Sequence, residues 1–246
     1  MGLAHYKVIL SYNGSEFAGF QRQKDARTVQ SEFEAGLRKL GWQGKSILAA
    51  GRTDTGVHAV GQVVSFHLDW QHSLEDLRNA LNYYFPEDMA VQSVEMADEA
   101  FHPRFDAQRR CYRYRAFPSP VRDPIREVFA WRVWPEPDME RMQKAGKMLI
   151  GVHDFQAFGS PTSEKGVTIR EVFDLHWQQD GEAYAFEISA NAFLYHMVRR
   201  IVFVLVKIGQ GEVSPDILLE SLQSGNLSLT GLAPATGLVL KEVRYS

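Results

Sequence analysis

Cysteine is almost missing from this chain: Cys111 is the only one in 246 residues. An internal disulfide and a cysteine cage for zinc are thereby excluded, and a reducing, cytoplasmic setting is expected. The eight histidines include no His-Glu-x-x-His and no pair at metal-binding spacing on one helix face. Each reads as a core or surface residue, and no metal is expected. A strong charge of either sign is also lacking, since the net charge is -3, which argues against coating nucleic acid by bulk charge and leaves only a local patch. The most apolar run, Phe193 to Ile208, carries His196, Arg199, Arg200 and Lys207. That reads as a buried helix and not a membrane span. Met1-Gly2-Leu3-Ala4-His5-Tyr6 has no basic stretch leading into an apolar one, so no signal peptide is expected. Gly44-Lys45-Ser46 has the ending of a phosphate-binding loop, but Lys39 stands where that loop needs glycine, so ATP binding is unsupported.

What is present is an ordinary globular composition, 45% hydrophobic and 23% charged, enough to bury a substantial core. The pattern predicts a strand over Tyr6–Tyr12 and a helix capped by Thr28 with Val29, Phe33, Leu37 and Leu40 on one face. A short strand over Ser46–Ala50 and an alternating strand around Val63–Leu68 follow. A second helix is capped by Ser73 with Asp76 and apolar at Leu74, Leu77, Leu81 and Tyr84, before a strand over Val91–Met96. Beyond Pro103 come strands over Arg110–Phe117 and near Val128–Trp134 and a helix over Met139–Leu149. Strands over Thr168–Gln178 and Ala183–Ala190 lead to a long helix from Phe193, a short one with Pro215 in its first turn, and a last strand over Leu238–Tyr245. The expected fold is α+β: two abutting split β-α-β (ferredoxin/RRM-like) halves, residues 1–105 and 106–246, with largely antiparallel sheets and a catalytic cleft between them.

Asp54-Thr55-Gly56 spells the tripeptide of the aspartic proteases, but that chemistry needs two carboxylates sharing a proton. Leu229 precedes Thr230-Gly231 and Ala235 precedes Thr236-Gly237, so no second acid is supplied. What remains is Arg52 two places before Asp54. In an extended segment both face the same way, where the guanidinium would keep the carboxylate ionised and fit to act as a nucleophile; the plainer reading is a turn with a surface ion pair. From Phe101 to Arg132 there are eight arginines against Asp106, Asp123 and Glu127. Interleaved tyrosines in Arg110-Cys111-Tyr112-Arg113-Tyr114-Arg115 add stacking surfaces for unpaired bases, with core packing of one or both tyrosines as the alternative. Arg199 and Arg200 lie inside an apolar helix pattern, and a buried arginine wants an acid such as Asp54.

Taken together, these motifs resemble the tRNA pseudouridine synthase A family over nearly the full length. The resemblance rests on Ser11-Tyr12-Asn13-Gly14-Ser15 running to Gly19-Phe20-Gln21-Arg22-Gln23, then on Gly51 through Ala59 around Asp54, then on Tyr112-Arg113-Tyr114. Phe193 through Arg199 and the tail Ala233-Pro234-Ala235 with Gly237-Leu238 complete it. It implies an isomerase that detaches uracil from ribose in the tRNA anticodon arm, at positions 38 to 40, and rejoins it through C5, as a homodimer without metal or organic cofactor. Asp54 would be the nucleophile, Arg52 would help displace the base, and Tyr112 would stack on the uracil and could take the C5 proton. Arg199 would pair with Asp54, Leu238 would line the base pocket, and Arg110 and Arg113 would hold RNA. The chain departs from the family pattern at Phe20, Arg200 and Phe203, where tryptophan, asparagine and glycine are common. A non-catalytic RNA-binding module is the rival reading: it explains the arginines and Tyr112 but gives Asp54 no reason to sit beside Arg52.

Overall fold

The computed structural model describes residues 2–161 and 166–245. Helices and a largely antiparallel β-structure make it a mixed α+β protein. It forms two compact units, Met1–Gln108 with Val239–Ser246, and Arg109–Leu238. The last strand, at the C-terminal end of the chain, groups with the first unit.

In the first unit, β1 (Ala4–Tyr12) lies between β3 (His58–Leu68) and β4 (Met89–Met96), antiparallel to both, and the two-residue β2 (Leu48–Ala49) adds to β3. The C-terminal strand, Leu238–Arg244, runs parallel to β3 through Val239 opposite His58 and Leu240 opposite Ala59. Its pairing partner is more than 170 positions away in sequence, which no local pattern can reveal.

Two helices cover this sheet, and both begin with reciprocal caps: the expected Ser73–Asp76 box on the second, and on the first the expected Thr28 cap, which Ser31 completes. Helix α1 (Val29–Lys39) starts where the Thr28 side chain accepts from Ser31 N while Ser31 Oγ accepts from Thr28 N. Its Val29, Phe33 and Leu37 are fully buried, and the Phe33 ring meets Phe66 and Phe85 at 5.7 and 5.0 Å. Burying each such side chain stabilises the fold by about 1.5–3 kcal/mol. Helix α2 (Leu74–Tyr84) has the Ser73–Asp76 cap. Only Leu77 and Leu81 of its expected apolar face are buried; Leu74 and Tyr84, at opposite ends, are exposed.

The second unit is built on β5 (Arg109–Pro118), a short parallel partner β6 (Trp131–Val133), and the meander β7 (Gly151–Asp154), β8 (Ile169–Asp180) and β9 (Ala183–Ala190), in the order β5-β9-β8-β7. The four-residue β7 has no run of alternating residues to announce it. Helix α3 (Met139–Gly146) ends in a 3-10 turn over Lys147–Leu149, three residues before the expected end.

Helix α4 (Met197–Gly209) starts four residues later than expected. Tyr195 is held in a backbone bridge with Ser160, and His196 takes a left-handed conformation, φ 67°. Phe193 therefore does not share a helical stripe with Met197 and Arg200. The body of α4 buries Ile201, Val202, Val204, Leu205 and Val206 on every side, as its apolar composition requires. Helix α5 (Asp216–Ser224) follows, with Pro215 as its N-cap. The C-terminal strand is numbered β10.

Candidate active site

The Asp54 loop is fixed mainly through its backbone. Val57 N donates to Asp54 O, closing a turn whose third position is Gly56, φ 78°, a conformation that glycine adopts without strain. On one side the loop is held by the segment after β1. Phe20 N donates to Thr53 O at 3.0 Å, and the Tyr12 hydroxyl and Thr53 Oγ1 are 2.8 Å apart. Gly19, at φ 89°, lies so close that a Cβ there would stand 3.0 Å from Thr53 O. Gly14 N donates to His58 Nδ1 at 2.9 Å, and a Cβ on Gly14 would meet the Val57 carbonyl at 2.1 Å. From the other side Gln62 Nε2 donates to Gly51 O. Burial pushes the Tyr12 phenol up to about 12, so it stays a neutral hydrogen-bonding group at physiological pH.

Within this frame Asp54 is half-buried, Thr53 is buried and Arg52 is exposed. Among the described residues Arg52 makes no ion pair. Arg52 and Asp54 are thus not joined as an ion pair in this structure.

The two tyrosines of β5 have different fates. Tyr114 is fully buried and its hydroxyl donates to Pro234 O at 2.8 Å. Burial holds its phenol well above the ordinary tyrosine value, an effect the nearby Arg199 charge opposes. It is a core residue and offers no face to a base. Tyr112 is half-buried, with its ring edge-on to Phe193 at 5.2 Å and 89°. Arg199 is half-buried, and its Nε donates to Ala233 O at 2.8 Å. Leu238, 5% exposed, follows the 3-10 turn Ala235–Gly237. The tail Ala233–Leu238 thus meets both Tyr114 and Arg199, an assembly that no sequence spacing announces. Phe203, a departure from the family pattern, stacks on Trp131 and lies over Gly231.

The arginines divide in the same way. Arg113 is paired with Glu187 at 2.5 Å, Arg115 with Asp180 at 2.9 Å, Arg126 with Glu182 at 3.4 Å and Arg132 with Glu127 at 3.4 Å. Arg110 Nη1 donates to the neutral carbonyl of Asn191 at 2.7 Å, and Arg109 lies over the Phe173 ring at 4.6 Å. The local positive charge that the sequence shows is therefore smaller in the folded chain. Asp54 and Arg52 belong to the first unit, and Tyr112, Arg110, Arg113, Arg199 and Leu238 to the second. No helix of the described residues is long and apolar enough to cross a membrane.

The comparison with known proteins is consistent with these motifs. A family model described as tRNA pseudouridine synthase matches residues 8–106 and 145–246. A tRNA pseudouridine synthase A of Brevibacillus brevis is 38% identical over 97% of this chain and 98% of its own. One from Listeria monocytogenes is 38% identical over 99% of this chain and 100% of its own. A third, from Streptococcus equi subsp. equi, is 40% identical over 99% of each chain. The matched segments contain the Asp54 turn with the residues that clamp it, and α4 with the tail that Arg199 holds; this chain belongs to the tRNA pseudouridine synthase family.

Proposed function

We propose that Asp54 is the carboxylate that opens the reaction, and that the uridines it acts on lie at positions 38 to 40 of the tRNA anticodon arm. The reaction class follows from the family: the chain is an isomerase that converts uridine in tRNA to pseudouridine. That conversion breaks the C1′–N1 bond, forms C1′–C5, moves a proton off C5 and leaves one on N1, so nothing is oxidised or consumed. A carboxylate can begin it by attacking C1′ or by removing a neighbouring sugar proton.

The observation that carries the assignment is the clamp on the turn. Backbone bonds and two close-packed glycines fix the position of Asp54 while leaving it half-exposed, which is the pre-organisation a catalytic group needs. In this reading Arg52 meets the RNA backbone or the displaced base, Tyr112 stacks on the uracil and is a candidate to take the C5 proton, and Arg199 pairs with Asp54. Leu238 lines the base pocket, and Arg110 and Arg113 hold RNA. A stem base must leave its stack at a cost of a few kcal/mol, part of which stacking on Tyr112 returns. The proposal includes a homodimer and the expected division into two split β-α-β halves around a catalytic cleft.

The test is tritium release from a tRNA transcript carrying 5-tritiated uridines, with the wild type and Asp54→Asn side by side, followed by mapping of the modified positions. Release by the wild type alone, from positions 38 to 40, is expected. Turnover by Asp54→Asn would remove the carboxylate from the mechanism. Binding of tRNA by both proteins with release by neither would favour the RNA-binding module.

A further inference from the structure

We infer that the first unit carries a site for a zinc-like divalent transition metal, built from His5, His67 and Glu99. His5 on β1 and His67 on β3 face each other across the antiparallel pair, with their rings stacked at 4.3 Å. Glu99 comes from the segment after β4, and its Oε1 is 3.0 Å from His67 Nε2. One ligand atom from each of the three lies within 4.8 Å of the others.

The independent observation is at His5. This ring is 4% exposed, its Nδ1 lies 2.9 Å from the Asp98 carbonyl, and its Nε2 is buried without a hydrogen-bond partner. Since the carbonyl can only accept, Nδ1 carries the proton and Nε2 presents a lone pair. A backbone carbonyl on one ring nitrogen is the usual way in which a ligating histidine is oriented, and a buried lone pair with no donor is otherwise a net cost.

Two imidazoles and a carboxylate favour zinc, cobalt or nickel over magnesium or calcium. Metal bonds of about 2.0–2.1 Å place ligand atoms of a tetrahedral site roughly 3.3 Å apart. The ligands must therefore close in, with one ring turning out of the stack. His67 and Glu99, whose side chains are 39% and 80% exposed, have the freedom to do so against the fixed His5. The metal would join β1, β3 and the segment after β4, with water completing its coordination. His5 and His67 stand 62 positions apart in sequence, so strand pairing alone brings them together.

The test is equilibrium dialysis of the untagged protein against Zn(II), with the visible spectrum of the Co(II) form as a second readout, for the wild type, His67→Ala and Glu99→Gln. One equivalent per chain and a four-coordinate Co(II) spectrum are expected. Loss of an outer-shell partner alone weakens such sites by about 10–100-fold, so His67→Ala should weaken binding by more than about 100-fold and Glu99→Gln by at least about 10-fold. Both variants should keep the wild-type far-ultraviolet circular dichroism, because Glu99 is largely exposed and His67 is only half-buried. Absence of stoichiometric metal in the wild type, or unchanged affinity in either variant, overturns the site.

Discussion

The Asp54 turn and the arginine-rich strand β5 reach their chemistry by opposite routes. At the turn a single half-exposed carboxylate is held by local geometry: a glycine in the left-handed region at Gly19, a close approach at Gly14, and carbonyls and hydroxyls bonded to neighbours within the first unit. On β5 a dense run of positive charge is reduced by Glu187 and Asp180, neither of which lies in the segment where the arginines concentrate. A short motif with backbone constraints carries its meaning in the sequence. A charge count does not, because cross-strand partners come from elsewhere in the chain.

The largest effect that sharpens this comparison is at the turn. Asp54→Asn keeps the shape and removes the charge, and we expect turnover to fall by about 10⁴-fold or more, with tRNA affinity within a few-fold of the wild type. Tritium release and filter binding measure the two separately. A fall in affinity that matches the fall in turnover would make Asp54 a binding residue.

Gly19→Ala probes the clamp without touching a charged group. A side chain at φ 89° with Thr53 O at 3.0 Å costs about 1–2 kcal/mol in backbone strain before any displacement of the loop. If the loop moves to relieve it, a misplacement of about 1 Å costs roughly 10²-fold in turnover. Urea denaturation and tritium release on the same sample should therefore both change. Loss of stability with unaltered turnover would show that the clamp holds the fold and not the carboxylate.

The tyrosines of β5 show how much of the site was legible. Alternation along Arg110–Arg115 correctly makes a strand and puts residues 112 and 114 on one side. It cannot tell which ring meets the core, because that depends on Pro234, 120 positions away. The same limit hid the parallel pairing of β10 with β3 and the stop that the Tyr195–Ser160 bridge sets before α4. The Thr28 cap of α1 and the Ser73–Asp76 box of α2 were legible because they close within three residues. The Asp54 turn was legible for the same reason, although the parts played by Gly14 and Gly19 were visible only as a motif and not as a clamp.

The contrast between the rings can be measured. Tyr114→Phe leaves the Pro234 carbonyl without its donor and should cost about 1–3 kcal/mol of stability while turnover of the folded enzyme is retained. Tyr112→Ala removes a stacking surface worth about 1–3 kcal/mol per base, so turnover should fall by roughly 5- to 150-fold with a smaller change in stability. The reverse pattern would exchange the two assignments.

The smallest effect separates two neighbouring arginines that look alike in sequence. Arg110 Nη1 donates to the Asn191 carbonyl, whereas Arg113 is held at 2.5 Å by Glu187. A phosphate that approaches Arg113 must compete with that carboxylate, and removing Arg113 takes away a positive charge that offsets it. Each direct phosphate contact contributes close to one unit to the slope of log affinity against log salt. Arg110→Ala should lower the slope by about one unit and weaken binding at every salt concentration. Arg113→Ala alone should weaken binding by repulsion, and the double change Arg113→Ala with Glu187→Ala should restore most of it. If the double variant binds as poorly as Arg113→Ala, the guanidinium itself contacts RNA, and the pairing with Glu187 belongs only to the protein without its substrate.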